Sequence, residues 1–350
     1  MPFLLSQRAA SQRTNTRPRA VVVLGAGQRP AALLRCLCAL GLQRSAEGLF
    51  LAPGAFGVVL VPNGPPAAVT GVLAGLGPAL PFAVRLTPPV PAGDWSLRAG
   101  LDAALRWAAP DGLLLTTEAE AVPEARWLAH ALASPAEAML GEVVRPGAGS
   151  DAAARHAALL AALAARIDPE PGEPAPAHGQ EAAASFAIRA AVLRRLEGFP
   201  VGPEGGLAGL LAALRQRDGR VRHVPGMRVE AEAAPRPIEP ALAARRRLRA
   251  RRAVREFWTA GTGVFERETV AFRHWAARLG LPAGALGAAL ATPHFGAAWA
   301  AVEAASPALA ARRLLPPAAL PGQIRTLRLL LALTRQAPTC PGQEEVTVPA

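Results

Sequence analysis

Two glutamates one residue apart, Glu118 and Glu120, follow the apolar, β-prone run Leu113-Leu114-Leu115-Thr116-Thr117. In an extended segment, residues two apart point to the same side, so both carboxylates would face one way. Like charges so placed repel, and a divalent cation is the partner that relieves the repulsion with both groups ionised. A plainer role competes with this one. Both acids could be solvated loop residues ahead of a helix whose first turn holds Pro123 and Glu124, where negative charge is favoured.

The elements needed to position these residues alternate in type. Residues 20–24 read as a fully buried strand, followed by the turn with Gly25 and Gly27, then by an amphipathic helix from Pro30 to about residue 42. Residues 57–61 repeat the strand and 67–76 the helix. Residues 82–86, 97–108 and 112–116 add a strand, a helix and a fourth strand. Such alternation predicts a mainly parallel sheet with helices on both faces. In sheets of that kind ligands bind beyond the carboxyl ends of the strands, which is where Glu118 and Glu120 fall.

Composition sets the outer limits. A chain of 350 residues, 51% hydrophobic and 18% charged, can bury a large α/β core and carry a helical appendage. The formal charge is +12, yet every basic side chain is arginine and tyrosine is absent, a bias of the kind a GC-rich coding sequence imposes. Charge alone is therefore a weak pointer to a polyanion. Only three cysteines occur, Cys36, Cys38 and Cys340, too few for a disulfide framework or a four-ligand zinc site. A reducing cytoplasm fits this usage. No apolar run reaches the roughly 18 residues of a membrane span, so any membrane role would be peripheral, at the inner membrane.

Taken in order, these segments resemble the family 2 glycosyltransferases of the GT-A fold, and a bacterial subset of them more closely, over about residues 18–260. Val21-Val22-Val23-Leu24-Gly25-Ala26-Gly27-Gln28-Arg29-Pro30 is similar to the family's opening strand and loop. Leu60-Val61-Pro62-Asn63-Gly64 resembles its second strand, where an aspartate usually holds the base or ribose. Ser96-Leu97-Arg98-Ala99-Gly100 is similar to the helix that brings an Ala-Arg pair beneath the diphosphate. Leu115-Thr116-Thr117-Glu118-Ala119-Glu120-Ala121-Val122-Pro123 matches the segment whose family form is Thr-Thr-Asp-Ala-Asp. The resemblance implies a GT-A-like, mainly parallel sheet flanked by helices, with a helical C-terminal region. It also implies a nucleotide-diphosphate sugar bound by Gly25, Gly27, Arg29, Asn63, Arg98 and Glu118, and a divalent metal, manganese or magnesium, on Glu118 and Glu120. The metal would bridge the diphosphate and neutralise the leaving group. Glutamate in place of aspartate moves each carboxylate by about 1.5 Å.

Further along, residues 176–189 are similar to the family's acceptor-side strand, and Leu196-Glu197-Gly198-Phe199-Pro200 to its Gly-Gly-Phe/Ile-Pro element. The aspartate that serves the family as general base is missing. Counting back from Arg215 and Arg220-Val221-Arg222-His223, its Glu-Asp pair falls on Gly206-Leu207, and leucine accepts no proton. Glu204 is the nearby acid able to take the role. Activity, if present, would be of the inverting type, toward a glycan, lipid or small-molecule acceptor. The alternative is a catalytically decayed nucleotide-sugar-binding or scaffold protein on the same fold.

Other constellations are weaker. Gly25-Ala26-Gly27 lacks the third glycine and the distal acid of a dinucleotide fingerprint. The six histidines show no paired metal spacing, and no G-x-S-x-G elbow exists. The run Arg245-Arg246-Arg247-Leu248-Arg249-Ala250-Arg251-Arg252-Ala253-Val254-Arg255 reads as a solvated helix face, or as a contact for phosphate or an anionic membrane surface. Sparse aromatics around it argue against nucleic acid. The expected organisation is a flexible N-terminus over 1–17, the α/β domain over 18–230, a helical region over 231–336 and a frayed tail over 337–350.

Overall fold

The computed structural model describes residues 17–26, 29–63, 66–76, 79–91, 94–144, 152–170, 177–196, 206–231, 239–260, 276–282, 284–311 and 315–334. Gly27 and Glu204, both candidate site residues, lie outside them. The chain divides into two compact units, residues 1–146 with 180–233, and residues 147–179 with 234–350.

The first unit is an α/β layer structure on an eight-stranded mixed sheet. Its strands are β1 (Ala20–Ala26), β2 (Gly57–Pro62), β3 (Ala83–Leu86), β4 (Leu113–Glu118), β5 (Ala121–Pro123), β6 (Ala138–Val144), β7 (Phe186–Arg189) and β8 (Val221–Ala231). The order across the sheet is β3-β2-β1-β4-β7-β6-β8-β5. Strands β3, β2, β1 and β4 are mutually parallel, as the strand–helix alternation predicts, and β7 runs antiparallel to both β4 and β6. Val21 to Leu24 are at most 3% exposed, which suits a strand covered on both faces. Each such side chain contributes about 1.5–3 kcal/mol of burial.

Helices cover both faces. On one, α1 (Pro30–Gly41), α2 (Pro66–Leu76) and α4 (Trp127–Ala133) pack on the even-numbered side chains of β1. On the other, α3 (Asp94–Trp107), α6 (Ala190–Arg195) and α7 (Gly206–Gln216) cover Val21 and Val23. Proline at the first position of α1 sets its start, since the missing N–H has no intrahelical partner there anyway. Pro123, read from sequence as the first turn of a helix, instead ends β5 and pairs with Val229. β5 is the edge strand, where a residue without an N–H costs no ladder bond.

Two close approaches fix the seating. A methyl group on Gly100 would overlap Val23 Cγ1 and stand 2.9 Å from Val61 Cγ2, while one on Gly57 would overlap the Trp107 ring. α3 therefore lies directly on the sheet, its start over the carboxyl ends of β1 and β2 and its end over the amino end of β2.

The second unit is helical in its described part: α5 (Ala152–Ile167), α8 (Ala241–Ala260), α9 (Ala285–Leu290), α10 (Phe295–Ala305), α11 (Pro307–Ala310) and α12 (Leu320–Leu333). Leu163 and Ile167 of α5 pack with Ala241 of α8 and with Leu327 and Leu330 of α12. Among the described residues no helix is long and apolar enough to cross a membrane.

Candidate functional site

β1 is the point where the sheet changes direction of growth. From it the chain adds β2 and β3 on one side, then returns to add β4 on the other, and the covering helix changes face from α1 and α2 to α3. The crevice at the carboxyl ends of two such strands is the position at which open α/β sheets bind ligands.

Gly25, Asn63 and Glu118 meet there. Gly25 sits between Val61 of β2 and Glu118 of β4 in register. Asn63 follows the end of β2 and donates its backbone N–H to Ala26 O at 3.0 Å; Ala119 donates likewise to Gly25 O at 3.0 Å. A Cβ on Gly25 would lie 3.7 Å from Asn63 Nδ2, so the amide of Asn63 leans over the bare backbone of Gly25. Pleating puts Gly25 and Glu118 on the α3 face. Arg98, two residues before Gly100 near the start of α3, stands at the same edge. Its contact with Asp102 is long, 3.9 Å between half-exposed groups. A pair of that kind holds the guanidinium weakly, at about 0–1 kcal/mol.

Two buried polar atoms at this edge have no hydrogen-bond partner among the described residues, Asn63 Oδ1 and Thr117 Oγ1. Leaving such a group unpaired costs about 1–3 kcal/mol, a cost that an incoming polar ligand can remove. Thr117, absent from the expected site residues, points by the same alternation to the α1 face, so Asn63 Oδ1 is the one of the two on the face of Gly25 and Glu118. The only sequence signal for Thr117 was its place one residue before Glu118.

Arg29 directly precedes α1. Its carbonyl accepts from Ala32 and Leu33 at 3.1 Å, and no side chain caps the start of α1. With Pro30 lacking an N–H, the Ala31 N–H is the one donor of this turn left without a backbone partner among the described residues, and the positive end of the α1 dipole lies here, where anions are favoured.

Glu118 and Glu120 are not both in extended chain. β4 ends at Glu118, which is exposed, and Ala119 with Glu120 forms the turn into β5. The two-residue alternation that would align the carboxylates stops at Glu118. Glu120 is half-buried, and its charge is felt by the thiol of Cys36 on α1: burial first, then Glu120, push that thiol up to about 12. Among the described residues no three His, Cys, Asp or Glu side chains group to hold a metal.

At the position expected to carry a base, Gly206 opens α7 with φ +69°, and Leu207 is half-buried against the apolar cluster of α3 and the sheet. The Arg245–Arg255 run is α8, and part of it faces inward. Arg247 is 9% exposed, pairs with Glu239, approaches Glu303 at 3.6 Å, and donates from Nε to Leu309 O at 2.8 Å. Arg251 and Arg255 hold the buried Asp168 at 3.2 and 3.1 Å.

No family model matches the sequence, and a search of curated proteins matches none. Among solved structures the chain is similar to the mannosyltransferase PcManGT of Pyrobaculum calidifontis, solved with GDP-Man and Mn2+. The TM-score is 0.43 at 21% identity, over 91% of this chain and 85% of that one. It is also similar to residues 1–349 of S. aureus TarS in complex with UDP (0.44, 14% identity, 66% of this chain and 64% of that one). A third is GalNAc-T7 with UDP, GalNAc and Mn2+ (0.42, 14%, 67% and 48%). The chain spans less than two thirds of the length of the last two. All three scores are below 0.5, and the α/β assignment above rests on strand order and register.

Proposed function

We propose that the chain is a nucleotide-sugar-dependent glycosyltransferase, of the inverting type, with the donor bound at the carboxyl edge of the first unit's sheet. The observation that carries this is the register placing Gly25, Asn63 and Glu118 at the ends of three adjacent parallel strands, with the unpartnered Asn63 Oδ1 among them. Asn63 offers both a donor and an acceptor to a base or ribose. The α1 start and Arg98 supply positive potential for a diphosphate.

The acids present suit a divalent cation of the magnesium class, which is commonly held by one or two carboxylates together with substrate phosphates. Glu118 and Glu120 are the residues that would hold it. Bound there, manganese or magnesium would offset negative charge developing on the departing diphosphate.

Millimolar nucleoside diphosphate with manganese should raise the melting temperature, because a ligand that binds only the folded state stabilises it by mass action. No rise with GDP, UDP, ADP, CDP or dTDP would remove the proposal. In the double variant Glu118→Gln, Glu120→Gln, affinity should fall and chelator sensitivity should vanish together. Wild-type binding that ignores chelator would make the acids solvated loop residues.

Leu207 favours a second reading, a decayed transferase that binds nucleotide sugars without turning them over. Its side chain packs into the apolar cluster where a base is expected.

A further inference from the structure

The second unit contains a cavity of about 240 Å³. Among the described residues Arg166, Arg249 and Arg252 line it with a single acid, Glu256, over a wall formed by Ile167 and Ala253. The rest of α8 handles its charge differently. On the face formed by Arg247, Arg251 and Arg255, three guanidinium groups meet four carboxylates, Glu239, Glu303, Asp168 and Glu170. The described residues of the cavity face bring three guanidinium groups and one carboxylate, a formal excess of two positive charges.

Helix ends account for two of the three arginines. Arg166 Nη1 donates to Leu331 O at 2.5 Å in the last turn of α12, and Arg252 Nη1 to Ile167 O at 3.4 Å at the end of α5. Cations at helix C-termini are favoured by the dipole. Arg252 is also held by Glu256 at 2.7 Å. Arg249 has no such role: it is exposed and forms no ion pair with a described residue. Its charge adds to a concave, already positive surface, where the field is focused.

We propose that this cavity binds a phosphoryl group carried on a small organic body. Guanidinium forks match phosphate oxygens two at a time, and a phosphate dianion balances the excess charge. A water molecule occupies about 30 Å³ of liquid, so the space exceeds what a bare phosphate fills. Ile167 and Ala253 offer the body an apolar wall. The same chemistry could come from a soluble phosphate ester or from a phospholipid headgroup.

The test uses the full chain at constant ionic strength. One arm titrates inorganic phosphate and glycerol phosphate by calorimetry; the other sediments the protein with phosphatidylglycerol vesicles, with phosphatidylcholine vesicles as the blank. Binding in either arm should weaken about ten-fold or more in Arg249→Gln. It should stay within about two-fold in Arg245→Gln, which removes the same charge from the same helix outside the cavity, and in the Glu118→Gln, Glu120→Gln variant. The arm that responds identifies the source. No binding in either arm, or equal losses in Arg249→Gln and Arg245→Gln, would overturn the proposal. Because Arg249 is exposed and supports no described contact, its replacement leaves the fold intact.

Discussion

Replacing Glu204 by glutamine should lower sugar transfer by about 100-fold or more while leaving nucleotide affinity within a few-fold. Direct displacement at the sugar needs a group to take the acceptor hydroxyl's proton, and that group must be a carboxylate or an equivalent base within hydrogen-bond reach. Gly206 and Leu207 offer none, and Leu207 is committed to the apolar cluster beneath α7. Glu204 is the acid in the preceding Val201-Gly202-Pro203-Glu204-Gly205 stretch. Glutamine keeps its size and loses its proton affinity, so the effect belongs in turnover, not in binding. Two outcomes would reject Glu204 as the base. Unchanged turnover in the variant would show that another group acts. A wild-type protein that binds nucleotide sugar yet transfers nothing to water or acceptor would establish the decayed reading.

The largest loss of stability is expected from Gly141→Ala. Gly141 lies on β6 at the register shift opposite β8, where Gly141 pairs with Val224 and Glu142 with Arg228. An added methyl would overlap both Ser185 Oγ and the backbone carbonyl of Met227, with Met227 Cβ at 2.8 Å. Ser185 cannot simply turn aside. It accepts from Trp127 Nε1 at 2.9 Å and donates to Met227 O at 2.9 Å, and all three groups are buried. Overpacking costs about 1–3 kcal/mol, and an orphaned indole N–H adds about 1–3 more. For a unit of this size a combined loss of about 3 kcal/mol lowers the melting temperature by roughly 6–12 °C. Gly71→Ala in α2 is the matched control: nothing lies within 4 Å of its added methyl, so removing a mid-helix glycine should stabilise by about 0.5–1 kcal/mol. Equal melting temperatures for the two variants would contradict the packing described at Ser185.

The first half of the sheet was legible because its signals are local. Val21-Val22-Val23-Leu24 and Val58-Val59-Leu60-Val61 are β-branched runs closed by glycine or proline, and Pro30 and Pro66 mark helix starts. β6 was not found, and nor was α5, where nine of sixteen residues are alanine and few large apolar side chains mark the buried face. The antiparallel pairing of β7 with β4 and β6 depends on long-range partners that no local pattern reports. At the site, positions following strand ends could be placed because sheet geometry exposes them. The turn at Ala119-Glu120 could not, since an E-x-E spacing is the same whether the chain is extended or folded back. Arg166 and Arg249 share a cavity across more than eighty residues of sequence, with nothing in either neighbourhood to link them.

The placement of residues 147–179 in the second unit bears on how the chain is made. The α/β unit is interrupted after Pro146 and resumes at Gln180, so α5 leaves the ribosome long before the helices that cover it. Its buried residues Leu163 and Ile167 wait for Leu327 and Leu330. At about 5–20 residues per second, roughly 150 further residues take on the order of 8–30 s to synthesise. During that interval an alanine- and leucine-rich helix gains only α8, through Ala241, from its own unit. The nascent chain is then a natural client for a holdase, and truncation anywhere before α12 leaves that surface uncovered for good.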